Sequence, residues 1–98
     1  MAALLHARRF LISGMVQGVG FRFFAQRAAA RIGVAGYVMN LRDGRVEVYA
    51  IGEADQLDAL HDALERGPRG ASVTGVSAGH AEIVPRYEDG FTVEFEPY

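Results

Sequence analysis

The stretch GMVQGVGFR, residues 14 to 22, contains residue types that could bind an anion. It follows a pattern typical of a strand and precedes one typical of a helix, where the first amide N–H groups have no partner within the helix. The glycines of this stretch allow consecutive amides to turn towards one centre, and the helix dipole adds partial positive charge there. Such a loop favours a phosphate group, although glycine-rich turns between strands and helices also occur without a ligand.

Two well-known nucleotide-binding motifs are absent from this loop. The Walker pattern ends in Gly-Lys-Ser/Thr, whereas Gly20 is followed by Phe21 and Arg22, and the glycine spacing does not fit G-x-G-x-x-G. Arg22 falls in the first turn of the predicted helix, where a cation opposes the dipole at a cost of about 0.3–1 kcal/mol. A bound phosphate would turn this cost into a stabilisation, because a guanidinium can hold two phosphate oxygens in a planar fork. The loop and Arg22 together indicate an anion site, unless Arg22 merely faces solvent.

Asn40 stands at the end of the second predicted strand, VAGYVMNL. In the topology predicted below, the first and second strands run parallel with the third between them. Their C-terminal ends then share one edge of the sheet, roughly 10 Å apart. An asparagine there can accept a hydrogen bond from a water and donate one to an oxygen of a ligand. The alternative reading is ordinary turn chemistry before the Arg-Asp-Gly that follows.

The pattern of apolar residues predicts the elements that position these groups. Period-two alternation indicates strands, and steps of three and four indicate helices. Gly33 is a natural end for the first helix, and Asp-Gly at 43–44 is a strong hairpin signal. The predicted strands cover residues 8–16, 34–41, 45–52, 72–84 and 91–96, and the predicted helices cover residues 21–32 and 54–66.

The resulting order is β-α-β-β-α-β plus a short final strand, in a single domain over residues 1–98. This order predicts the α+β class, a ferredoxin-like sandwich with two helices packed on one face of an antiparallel sheet. The pairing of the final strand stays open. Gly75 and Gly79 in the strand 72–84 indicate a bulge or a close backbone approach.

The composition limits the classes of function. The chain has no cysteine, which excludes disulfides, thiol nucleophiles and cysteine-ligated metals, and a formal charge of −2, which argues against general nucleic-acid binding. All ten cationic residues are arginine, and seven of them lie in residues 1–45 with one acid, which favours an anionic ligand. No stretch is long enough for a membrane span or a signal peptide, so we expect a cytoplasmic protein.

Residues 14 to 22 match every fixed position of the G-x-V-Q-G-V-x-F-R loop of the acylphosphatase family, which this sequence resembles. The family also carries an asparagine within G-Y/W/F-V-x-N, and GYVMN at residues 36 to 40 fits that pattern. The resemblance spans the whole chain and is densest over residues 10 to 52. Two motifs at matching spacing, in a chain of matching length and element order, make it specific.

The resemblance implies a hydrolase that cleaves the carboxyl–phosphate bond of small acyl phosphates into a carboxylate and inorganic phosphate. It implies that backbone N–H groups of the loop and Arg22 hold the phosphoryl group and that Asn40 orients the attacking water. The implied catalytic residues are Arg22 and Asn40, and the implied substrate-binding residues are Gln17, Gly18, Val19, Gly20, Phe21 and Arg22. It implies no metal, no cofactor and no covalent intermediate, with the substrate's own phosphate as the proton acceptor.

The expected partner is a small acyl phosphate, and we expect no nucleic acid, no membrane and a monomer. The alternative function is a non-catalytic ligand-binding or regulatory module on the same fold. An RNA-recognition domain would need aromatic residues on the third strand, where RVEVYAIG offers only Tyr49. A module of a larger enzyme that matures carbamoyl groups would carry zinc-binding cysteines downstream, so we expect a stand-alone protein.

Overall fold

The computed structural model describes residues 4–97 of the chain. The strands are β1 (His6–Met15), β2 (Ala35–Asn40), β3 (Val46–Gly52), β4 (Ser72–Ala81) and β5 (Phe91–Phe95), and the helices are α1 (Phe21–Ile32) and α2 (Ala54–Arg66). One turn of 3-10 helix, Pro85–Tyr87, precedes β5. Both predicted helices are confirmed over their whole length.

The five strands form one sheet in the order β4-β1-β3-β2-β5. The neighbours β1/β4, β1/β3 and β2/β3 are antiparallel, as predicted, whereas β5 lies parallel to β2 at the edge of the sheet. The sheet is therefore mixed rather than purely antiparallel, because the final strand runs in the same direction as its neighbour β2. The strands β1 and β2 run parallel on either side of β3, so their C-terminal ends share one edge.

Both helices pack their apolar sides on the same face of the sheet. Their buried side chains follow the predicted stripes and are Phe21, Ala25, Ala28 and Ala29 in α1 and Leu57, Leu60, Ala63 and Leu64 in α2. The strands contribute Phe10, Ile12, Val38, Val46, Val48 and Ala50 to the same core. Gly33 ends α1 in the left-handed conformation, with φ of 94°, as glycine is able to do.

A tyrosine cluster covers part of the opposite face of the sheet. The rings of Tyr37 and Tyr49 stack at 5.4 Å between centroids, and the ring of Tyr87 lies 4.9 Å from that of Tyr37. The Tyr49 hydroxyl donates to the Glu82 carbonyl at 2.7 Å and accepts from the Val84 N–H at 2.8 Å. The predicted strand 72–84 is therefore too long: the segment after Ala81 leaves the sheet edge and caps this cluster.

Two glycines let backbones approach within the sheet. A Cβ on Gly36 would lie 1.8 Å from the Tyr49 carbonyl oxygen, and one on Gly14 would lie 2.1 Å from that of Ser72. The register of β1 with β4 shifts beside Gly14, since Ser13 pairs with Gly75 but Gly14 pairs with Val73. The predicted bulge is thus confirmed next to Gly75, whereas a close approach at Gly79 was wrong, because that position has open space.

Candidate active site

The loop between β1 and α1 presents backbone N–H groups that have no partner within residues 4–97. Gly18 and Gly20 are both in the left-handed conformation, with φ of 73° and 78°, which few other residues adopt. Gly20 is the N-cap of α1, and no side chain caps this helix end. Within the described residues, none of the N–H groups of residues 18 to 22 donates to a protein acceptor. The loop therefore has the donors and the dipole that favour an anion.

A pocket of about 290 Å³ opens at this loop. It is lined by Val16, Gly18, Gly20, Phe21, Arg22, Phe23, Gln26, Asn40 and Val93. None of these residues is acidic, and Arg22 is the cation among them. The lining therefore brings together the loop, the predicted arginine and the predicted asparagine, with a positive charge to attract an anion.

Asn40 is the last residue of β2, and the parallel course of β1 and β2 brings it to the edge where the loop lies. Its Oδ1 atom is buried and has no hydrogen-bond partner within the part of the chain that the structure describes. A buried polar atom without a partner is uncommon, because it loses hydration with no compensation. In a pocket, such an oxygen is free to accept a hydrogen bond from a ligand or a water.

Arg22 lies in the first turn of α1 with its guanidinium beside an aromatic ring. Its Cζ atom lies 5.7 Å from the centroid of the Phe95 ring, over the ring face. This is within the range of a cation–π contact. Among residues 4–97, the Arg22 side chain makes no ion pair and donates no hydrogen bond. Its N–H groups are therefore available to an anion.

Gln17 occupies a different place from the pocket lining. Its Nε2 atom donates to the Leu41 carbonyl at 2.7 Å and to the Arg45 carbonyl at 2.9 Å. These carbonyls are the two sides of the turn between β2 and β3, which the Leu41 N–H closes onto the Arg45 carbonyl at 2.8 Å. The Gln17 side chain thus fastens the loop after β1 to the turn that follows Asn40.

The turn between β2 and β3 is also held from within. Asp43 accepts hydrogen bonds from the Arg45 backbone N–H at 3.1 Å and from its Nε at 2.9 Å. The hydrogen bonds from Arg45 hold the pKa of the Asp43 carboxyl below its ordinary value. The turn that follows Asn40 is therefore a defined structure rather than a loose connection.

The structure gathers most of the predicted site residues but adds others. Gly18, Gly20, Phe21, Arg22 and Asn40 line the pocket, whereas Gln17 and Val19 are not part of its lining. Sequence reasoning missed Phe23, Gln26, Val93 and Phe95. Gln26 lies four residues after Arg22 on α1, a spacing that could have placed it on the same face. Val93 and Phe95 lie in β5, and the local sequence pattern did not show that β5 pairs with β2.

The remaining candidates for site chemistry are scattered. Within residues 4–97, no group of three or more histidine, cysteine, aspartate or glutamate residues could hold a metal ion. None of the helices in that part of the chain is long and apolar enough to cross a membrane.

Comparison with known proteins shows the family of this chain. A sequence model of the acylphosphatase family matches residues 8–93, which include both the loop and Asn40. The chain belongs to the acylphosphatase family. It is 53% identical over 77 residues to the acylphosphatase of Solibacter usitatus, which covers 79% of this chain and 80% of that protein.

Solved structures of acylphosphatases share the fold. The crystal structure of acylphosphatase from Bacillus subtilis superposes with a TM-score of 0.85 at 34% identity, over 93% of this chain and 99% of that one. Full-length HypF in its phosphate- and nucleotide-bound form gives a TM-score of 0.86 at 26% identity over 96% of this chain. Only 12% of HypF is covered, so the same fold also occurs as a small part of a longer protein.

Proposed function

We propose that this acylphosphatase-family chain hydrolyses the carboxyl–phosphate bond of small acyl phosphates, giving a carboxylate and inorganic phosphate, at the pocket between the loop and Asn40. The observation that carries the proposal is the buried Oδ1 of Asn40, which has no hydrogen-bond partner among residues 4–97 and lies in the same pocket as Arg22. The Asn40 oxygen can accept a hydrogen bond from a water, and the Arg22 guanidinium can bind a phosphate. Hydrolysis needs both.

The phosphoryl group of the substrate binds to the loop and Arg22. The N–H groups at the start of α1 and the Arg22 guanidinium donate to its oxygens. Hydrogen bonds to charged groups contribute roughly 1.5–3 kcal/mol each, more than the cost of a cation at a helix N-terminus. The same donors stabilise the charge on the transferring group in the transition state, which is the main requirement of phosphoryl transfer.

Asn40 orients the attacking water through its Oδ1 atom. The water oxygen forms a bond to phosphorus, the bond from phosphorus to the acyl oxygen breaks, and the carboxylate leaves with the bonding electrons. Among residues 4–97, none of those lining the pocket is a carboxylate or a histidine. In this mechanism the proton of the water passes to an oxygen of the substrate's phosphate. The acyl group needs no protonation, because a carboxylate is a good leaving group.

We also propose the setting in which the enzyme works: one domain over residues 1–98, monomeric and cytoplasmic, with no nucleic acid among its partners. The family match over residues 8–93 supports a single domain. The formal charge of −2 argues against nucleic acid, and the absence of cysteine is compatible with a reducing compartment.

The test is steady-state hydrolysis of benzoyl phosphate by Arg22→Ala and Asn40→Ala, with inorganic phosphate as a competitive inhibitor. Arg22→Ala should raise KM and the inhibition constant of phosphate, because it removes the fork that holds the oxygens. Asn40→Ala should retain phosphate inhibition but lose kcat by about 100-fold or more, because the water is no longer oriented. Full activity of either variant would contradict the assignment.

Arg31→Ala is the matched control, because Arg31 is an exposed arginine in the last turn of the same helix. It should keep the kinetics of the unaltered protein. A phosphomonoester should not be hydrolysed, since its leaving group is poorer. A chain that binds phosphate but hydrolyses no acyl phosphate would instead be the ligand-binding or regulatory module.

A further inference from the structure

The last strand of the sheet lies directly beside Asn40. The strand β5 pairs in parallel with β2, and Asn40 is the register partner of Phe95. Val38 and Val93, two residues earlier in each strand, are also partners and both belong to the core under the helices. Side chains two positions apart share a face, so Asn40 and Phe95 face the side of the sheet where the loop and α1 lie.

Phe95 is exposed although it is large and apolar: 76% of its surface is accessible. It therefore contributes little to the core, yet its ring face lies 5.7 Å from the Cζ of Arg22. The N–H donors of a guanidinium lie in its plane, and within residues 4–97 those of Arg22 make no hydrogen bond. The contact with Phe95 is compatible with an in-plane grip on phosphate by the same arginine.

Three polar contacts hold β5 and the residues after it in place around the pocket. Gln26 Nε2 of α1 donates to the Phe91 carbonyl at 3.1 Å, at the start of β5. Beyond its end, the Glu96 carboxylate accepts from the Arg42 N–H at 2.6 Å. The Arg42 side chain also donates to the Pro97 carbonyl. The chain on either side of Phe95 is thereby held to α1 and to the turn that follows Asn40.

We propose that Phe95 is a positioning residue of the active site, whose ring holds the Arg22 guanidinium in the orientation that binds phosphate. Arg22 is a long side chain that makes no hydrogen bond within residues 4–97, and it would lose conformational freedom on binding phosphate. A ring already in contact with the guanidinium removes part of that loss before the substrate arrives. This inference rests on the proposed function, because it assigns Phe95 an effect exerted through Arg22.

The test compares Phe95→Leu with Phe95→Tyr, using benzoyl phosphate as substrate and inorganic phosphate as inhibitor. Phe95→Leu keeps an apolar side chain but loses the ring face, so the inhibition constant of phosphate and KM should each rise about 2- to 5-fold. Phe95→Tyr keeps the ring, so both constants should stay at the values of the unaltered protein. The value of kcat should change less than KM, because Asn40 is unaltered.

Thr92→Ala is the matched control, since Thr92 is an exposed residue of the same strand that faces the opposite side of the sheet. It should leave both constants unchanged. A Phe95→Leu variant that binds phosphate as well as the unaltered protein would overturn the inference. So would a change confined to benzoyl phosphate and absent with acetyl phosphate, because the ring would then contact the acyl group rather than act through Arg22.

A double substitution separates this inference from the proposed function. Phosphate binding is measured by the shift of the thermal midpoint with phosphate concentration, which needs no activity. If Phe95 acts through Arg22, Phe95→Leu weakens phosphate binding when Arg22 is present. In the Arg22→Ala background it causes no further weakening. Equal effects in both backgrounds would overturn the role of Phe95. If neither Arg22→Ala nor Phe95→Leu weakens phosphate binding, the result would instead contradict the proposed function itself.

Discussion

At the scale of single residues, Gln17 contributes to the site without lining the pocket. Its amide reaches across from the loop after β1 and donates to two carbonyls of the turn between β2 and β3. The loop carries the proposed phosphate donors, and the turn follows Asn40 directly. One side chain therefore links the loop that we propose binds phosphate to the turn that follows Asn40.

We expect Gln17→Leu to destabilise the protein and to impair both steps. Each lost neutral hydrogen bond costs about 0.5–1.5 kcal/mol, so the free energy of unfolding should fall by about 1–3 kcal/mol. KM should rise and kcat should fall together, because the loop and Asn40 are no longer held in register. Urea unfolding and benzoyl phosphate kinetics measure the two effects. Unchanged kinetics in a folded variant would show that the bridge does not align the site.

The sequence predicts that the loop, Arg22 and Asn40 meet, and the pocket lining confirms that they do. Arg22, Asn40 and the glycines lie in two short segments, so local motifs were enough to find them. The contact of Arg22 with Phe95 could not be predicted in this way. It depends on β5 pairing with β2, and nothing in the residues of β5 specifies that neighbour. The burial of Asn40 Oδ1 likewise depends on residues far apart in the sequence, so no local motif could predict it.

At the scale of elements, the close approach at Gly36 ties β2 to β3 and so fixes the strand that ends in Asn40. The φ of Gly36 is 139°, and a Cβ there would meet the carbonyl oxygen of Tyr49. The family motif contains this glycine, but only the pairing of the two strands shows why no larger residue fits. The helix bounds were easier to predict, because an apolar stripe of period 3.6 is local to each helix.

We expect Gly36→Ala to lower the free energy of unfolding by about 3 kcal/mol or more, because the new Cβ must push two paired strands apart. Gly79→Ala is the matched control: Gly79 also lies in a strand, but a Cβ there has open space. That variant should unfold within about 0.5 kcal/mol of the unaltered protein. Chemical denaturation of both proteins makes the comparison, and equal stability of the two variants would contradict the steric argument.

At the scale of the whole molecule, the two faces of the sheet have separate tasks. The helices and the pocket lie on one face, and the tyrosine cluster under the segment after β4 lies on the other. The alternation of β3 places Val46, Val48 and Ala50 on the face that the helices cover. The structure buries Tyr49 and Ile51 as well, because the chain crosses this face on its way to β5. Such a crossing involves residues far apart in sequence, so no local pattern could reveal it.

The tyrosine cluster should make stability sensitive to alkaline pH. Burial, reinforced by the hydrogen bond that the hydroxyl donates to Glu47 at 2.6 Å, raises the pKa of Tyr37 from 10.0 to about 12. The folded state therefore retains a proton that the unfolded state releases, and this stabilisation is complete below pH 10.0 and is lost as pH rises to about 12. Stability measured by urea unfolding should fall across that window.

Tyr37→Phe removes the titrating hydroxyl and its hydrogen bond, so it should lower stability at neutral pH but flatten the decline between pH 10.0 and about 12. The comparison of the two pH profiles isolates this residue from other groups that titrate in the same range. An equally steep decline in the variant would show that Tyr37 is not the source of the alkaline sensitivity.

The central claim is that backbone N–H groups and Arg22 hold a phosphate while Asn40 holds the water that attacks it. The most direct measurement is a crystal structure of the protein with bound inorganic phosphate. The account predicts a phosphate at the start of α1, with its oxygens accepting from the loop N–H groups and from the Arg22 guanidinium, and a water on Asn40 Oδ1. A phosphate bound elsewhere, or a phosphate in the pocket without contact to Arg22, would contradict the account.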